Sequence, residues 1–148
     1  TGFRVGWCVA SKELITAMYF FQQNSVTNVP AFVQQAALAA ITGPQEHVIE
    51  TTARLQAKRD RMVAALNAMP GVDCPTPDGS FYVFPDIRGT GMTAQQFADF
   101  MIEEHLVGVV AGSAFGDRGE GHVRITYAAP DDVIDEGMDR MAKGLESL

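Results

Sequence analysis

Gly112-Ser113-Ala114-Phe115-Gly116-Asp117-Arg118-Gly119-Glu120-Gly121-His122-Val123-Arg124-Ile125-Thr126-Tyr127-Ala128 decides how this chain is read. Its second half alternates as a strand does, with Val123, Ile125 and Tyr127 on one face and His122, Arg124 and Thr126 on the other. A glycine-rich turn thus leads into a short strand that lifts one arginine off an apolar sheet. Arginine suits such a place because its planar fork meets a carboxylate with two charge-assisted hydrogen bonds. The turn contains Gly116-x-x-Gly119-x-Gly121, yet it is not a phosphate loop. Such loops deliver phosphate to a helix N-terminus, whereas a strand follows here, and no Gly-Lys-Ser/Thr occurs in the chain.

Around this block, Pro70 to Leu148 reads as a compact α+β unit. Ser80 to Phe84 is a predicted strand stopped by Pro85, and its aromatic run reads as core of the small sheet. An approach of the Asp78-Gly79-Ser80 turn to a substrate is the alternative. Thr93 with Gln96 makes a capping box for a helix bearing Phe97, Phe100 and Met101. Val107 to Ala111 is a second predicted strand. Pro130, with Asp131 and Asp132 beside it, opens a last helix with the stripe Ile134, Met138, Met141, Leu145 and Leu148.

Upstream, a single helix is expected from Gln45 to Met69, with Val48, Thr52, Leu55, Met62, Leu66 and Met69 as its stripe and Arg59 in the polar gap. At about 1.5 Å per residue it would run roughly 37 Å, the length of a connector between two bodies. Before it, Gly43 and Pro44 stop an almost wholly apolar helix over Ala31 to Ile41, which expects burial on several sides. Ser11 is a predicted N-cap for a helix carrying Leu14, Ile15, Met18 and Phe21. Phe3, Val5, Trp7 and Val9 alternate with Arg4, Gly6, Cys8 and Ala10, which predicts a strand with Arg4 on a face of small residues. That strand has no visible partner within Thr1 to Gly43, although strand backbone groups need pairing. Thr1 is therefore not expected to open an autonomous domain.

Composition narrows the field. The 148 residues are 47% hydrophobic, enough for one or two cores. A formal charge of −7 argues against a nucleic-acid partner, and no apolar run approaches membrane-spanning length. Cys8 and Cys74 form no Cys-x-x-Cys pair and read as thiols of a reduced cytoplasmic protein, with a single disulfide as the alternative. His47, His105 and His122 share no metal-ligand spacing, so no metal site is expected.

The Arg124 block, taken with Thr1-Gly2-Phe3-Arg4-Val5-Gly6-Trp7, resembles the class I/II aminotransferases, fold-type I enzymes that use pyridoxal phosphate. The bacterial aspartate-aminotransferase-like subgroup is the most similar. The resemblance spans the whole chain and implies an α/β enzyme of which this is the C-terminal part. Thr1 to Gly43 would be the end of the large cofactor-binding domain, Pro44 to Met69 the interdomain helix, and Pro70 to Leu148 the small α+β domain. It implies that Arg4 binds the cofactor phosphate and that Arg124 grips the substrate α-carboxylate, so that the Cα–H bond is correctly oriented. An exposed Arg4, and an Arg124 paired with Glu120 or Asp117, are the readings without the family.

No catalytic residue is carried over, because the family's Schiff-base lysine is expected upstream of Thr1. Lys12 lies after Arg4 and reads as a solvated helix lysine. The implied reaction moves an amino group between an L-amino acid, aspartate or similar, and a 2-oxo acid, in a homodimer. These residues alone would then be inactive. A lyase or synthase of the same fold and a non-catalytic carboxylate-binding or interaction module are the competing functions. The loop Asn24 to Pro30 matches one near the dimer interface in relatives, and reads equally as a solvated loop.

Overall fold

The computed structural model describes residues 2–148, so Thr1, the first residue of the Arg4 motif, lies outside the described residues. The chain forms two compact units, Thr1–Ile49 and Glu50–Leu148.

The first unit is helical. Ser11 caps α1 (Lys12–Ser25), its side-chain oxygen accepting the Leu14 N–H at 3.4 Å. Helix α2 (Ala31–Thr42) follows Pro30 and ends at Gly43, where the Gln45 amide donates to the Gly43 and Ala40 carbonyls at 2.7 and 3.0 Å. The strand predicted over Phe3 to Val9 does not form. Extended backbone becomes a strand only when a neighbour takes up its N–H and C=O groups, and no described residue pairs with this segment. Arg4 instead sits in the left-handed region at φ 53°, which breaks the alternation that would have set it on one face with Gly6, Cys8 and Ala10. The apolar stripes are also largely uncovered. Helix α1 buries no residue and α2 buries only Val33, while Trp7 remains 71% exposed.

The second unit holds the core. Helix α3 (Glu46–Asn67) begins before the boundary and contributes Met62, Val63 and Leu66 from its C-terminal half, followed by Met69. Val48, at the other end of its predicted stripe, is exposed. Arg59 fills the polar gap by donating to the Pro77 carbonyl at 3.0 Å. The Asn67 amide brackets Cys74, donating to its carbonyl at 2.9 Å and accepting its N–H at 2.7 Å. Both thiols are free, and burial, aided by the nearby Asp73 charge, pushes the Cys74 thiol up to about 11.

A three-stranded antiparallel sheet has β3 (Val123–Thr126) between β1 (Tyr82–Val83) and β2 (Val110–Ala111). The predicted alternation holds, since Val123, Ile125 and Tyr127 are all buried. Against that face pack Phe97 and Met101 of α4 (Ala94–His105) and Ile134, Met138, Met141 and Leu145 of α5 (Asp131–Glu146). Helix α4 opens on the expected capping box, Thr93 and Gln96 each satisfying the other's backbone N–H. Leu148 lies past the end of α5 and is exposed.

This contrast predicts uneven hydrogen exchange in the 148-residue chain. Amides of α4, β3 and α5 should exchange far more slowly than those of α1 and α2, whose helical bonds have little packing over them. Peptide-resolved exchange by mass spectrometry measures this, and equal protection in both units would contradict it.

Candidate functional site

Arg124 stands on the solvent side of β3 while its neighbours Val123 and Ile125 enter the core. Tyr82 pairs with Thr126 and Val83 with Ile125, so Tyr82 shares the Arg124 face and Val83 the core face. This corrects the expectation that Phe81 to Phe84 is core throughout. Only Val83 is fully buried, Phe81 is packed at the core margin, and Tyr82 and Phe84 lie on the other side because successive strand residues alternate.

Two aromatic rings converge on the arginine. Its guanidinium carbon lies over the Tyr82 ring, 4.4 Å from the centroid, and over the Phe115 ring at 4.7 Å. Such cation–π contacts contribute about 0.5–1 kcal/mol at exposed sites. They leave the N–H donors unused. Among the described residues, no carboxylate pairs with Arg124 and no acceptor takes a hydrogen bond from its guanidinium. Glu120 is engaged elsewhere, its carboxylate accepting the Ala94 N–H at the start of α4 at 2.8 Å. The pairing of Arg124 with Glu120 or Asp117 is therefore not what the structure shows.

Phe115 owes its place to the glycine-rich turn. The segment makes two 3-10 turns, Gly112–Phe115 and Asp117–Gly119, and its ends are tied by Gly112 N–H to the His122 carbonyl at 2.8 Å. Gly112 and Gly119 pass so closely that a Cβ on either would lie 2.1 or 2.0 Å from the other's carbonyl oxygen. Glycine is required at both for this reason. His122 stacks on Phe84 at 5.3 Å and 7°, and Phe84 meets Phe115 edge-on at 6.2 Å. Tyr82 and Phe115 were missed as site residues in the sequence. Tyr82 shows itself only once the register is known, whereas the Gly-Ser-Ala-Phe-Gly spacing did mark Phe115 as part of the block.

Arg4 belongs to the first unit, where it is exposed. Lys12 is the first residue of α1 and exposed, as expected of a solvated helix lysine.

Residues 1–141 match the profile of the family described as aminotransferase class I and II. The chain belongs to that family. It is 38% identical over 148 residues to an aspartate aminotransferase of Pyrococcus horikoshii, covering 99% of this chain and 38% of that protein. It is 40% identical to an aspartate/prephenate aminotransferase of Cereibacter sphaeroides, covering 95% of this chain and 37% of the relative. The crystal structure of an aromatic aminotransferase from P. horikoshii superposes with a TM-score of 0.87 at 38% identity, covering 99% of this chain and 40% of that one. The aspartate aminotransferase of Rhizobium meliloti superposes at 0.84 with 33% identity, covering 98% and 38%. The chain thus spans under two-fifths of the length of the curated relatives quoted. The mixed helix-and-sheet architecture is that of the fold-type I aminotransferases.

An ion pair flanks the turn. Arg88 donates through its side chain to Asp86 at 2.9 and 3.0 Å, and its stem lies 2.5 Å from where a Cβ on Gly121 would be. The hydrogen bond from Arg88 lowers the Asp86 carboxyl from 3.8 to about 2. A lowered folded value means that the pair stabilises above the unfolded value and loses this effect as pH falls through the folded one. Asp86→Asn should therefore lower the thermal midpoint by a constant amount above pH 3.8, with the difference shrinking between there and about 2. A gap that persists unchanged to the acid limit would show that Asp86 acts through packing instead.

Proposed function

We propose that the protein is a pyridoxal-phosphate-dependent aminotransferase, moving an amino group between an L-amino acid, aspartate or similar, and a 2-oxo acid. The observation that carries this is Arg124: a guanidinium on the open face of the sheet, flanked by rings, with its donor fork engaged by no protein group among the described residues. A carboxylate is the anion such a fork fits, and a two-point hold fixes the orientation of the carbon it is attached to. Every amino acid and 2-oxo acid carries that group, so one arginine can serve both halves of the exchange. The names of the relatives support the reaction class.

The cofactor reading rests on Arg4. Arg4 is an exposed residue that lies two positions from Gly2 and from Gly6 in the sequence. A guanidinium fits a phosphate group by charge and by the geometry of its donor fork, and Arg4 would hold it. When bound, the cofactor supplies an electron sink for the substrate's Cα. The chain's own contribution is to bind: Arg4 the phosphate, Arg124 the carboxylate. Residues 1–43 then close a large domain, 44–69 link it, and 70–148 form the small domain of a cytoplasmic homodimer. We assign no covalent role to Lys12, and the 148 residues alone are expected to be inactive. After pyridoxal phosphate and borohydride, peptide mapping should find no stoichiometric label on Lys12.

Kinetics of the full-length protein test the reading. Removing one charge-assisted contact to a carboxylate costs about 1.5–3 kcal/mol, so Arg124→Lys should lower kcat/KM roughly ten- to a hundredfold. Aspartate, alanine and aromatic substrates should suffer alike, with cofactor affinity little changed, whereas Arg4→Ala should loosen the cofactor for all. Loss confined to dicarboxylic substrates would mean that Arg124 reads the side chain. β-Elimination in place of transamination would favour a lyase of the same fold.

A further inference from the structure

We propose that Tyr82 and Phe115 are positioning residues that hold Arg124 in its carboxylate-binding orientation. This rests on the reading of Arg124 given above and adds to it the means by which the chain aims that side chain. A guanidinium on a long flexible stem must be held if its fork is to meet a carboxylate from one direction. Hydrogen bonds from the guanidinium to neighbouring acceptors commonly do this, but none does so here among the described residues. The contacts that remain are the two rings, 4.4 and 4.7 Å from the guanidinium carbon.

The rings come from separate elements, β1 and the glycine-rich turn, so their convergence is not a by-product of one local conformation. Phe115 is 53% exposed, too much for core burial to explain where it lies. Its position is nonetheless defined, by the edge-on contact with Phe84, the stacking of Phe84 on His122, and the close approach of Gly112 and Gly119 in the turn that carries it. An aromatic face attracts the cation without offering an acceptor that would compete for its N–H groups. The clamp therefore orients Arg124 while leaving its fork to the ligand.

The test uses the full-length enzyme. Phe115→Leu should raise KM about two- to fivefold for amino-acid substrates regardless of side chain, the loss expected for one cation–π contact. Saturated kcat, cofactor affinity and the thermal midpoint should stay near wild type, and Phe115→Tyr, which keeps the ring, should restore KM. Tyr82→Leu should behave likewise, with Tyr82→Phe retaining function. Should Tyr82→Leu unfold the sheet, the exposed Phe115 decides the matter. In an Arg124→Lys background the Phe115→Leu effect should largely disappear, since it acts through Arg124. A wild-type KM for Phe115→Leu, or an undiminished loss in the Arg124→Lys background, overturns the clamp. An Arg124→Lys enzyme with wild-type kinetics overturns instead the assignment on which the clamp rests.

Discussion

Strand β3 is only four residues long, yet it is held on both edges, by β1 and by β2. That double pairing sets which way each side chain points. With Val123 and Ile125 committed to the core, Arg124 is committed to the opposite face, because a one-residue slip would bury a guanidinium and expose two branched aliphatics. The apolar packing of α4 and α5 therefore also sets the position of the arginine. Core residues and the arginine of the open face share the same strand in alternate positions.

The glycine-rich turn extends that constraint. A pair of glycines crossing at backbone contact lets ten residues fold back compactly over the strand they precede. The turn uses Glu120 to cap α4 and carries Phe115 outward over Arg124. The Glu120 carboxylate is thereby kept from the guanidinium four residues on. A cation left without an internal partner costs little on an open face, and it remains available to an anionic ligand.

The two units differ in what their apolar residues do. In the second, helices cover a sheet face and a contiguous core results. In the first, two helices and an irregular segment leave most of their aromatic and aliphatic side chains exposed within the unit. Hydrophobic patterning alone does not bury a helix; burial needs a second layer of matching shape.

Much of the second unit was legible in the sequence, because its signals are local. The period of two over His122 to Tyr127, the Thr93–Gln96 box and the stripe of α5 each follow from chemistry within a few residues, and each formed as expected, save that Leu148 lies beyond the end of α5. The same kind of signal failed over Phe3 to Val9, where alternation was present but no strand lay alongside to pair with it. The sequence by itself determined the class of fold, the family and the two arginines worth attention. Tertiary structure alone decided that Arg124 stands free of Glu120 and Asp117, and that Tyr82 and Phe115 meet over it. Those contacts join residues that are distant along the chain or cross a turn, and they depend on strand register and on backbone crossing. Neither is encoded in any short window of residues.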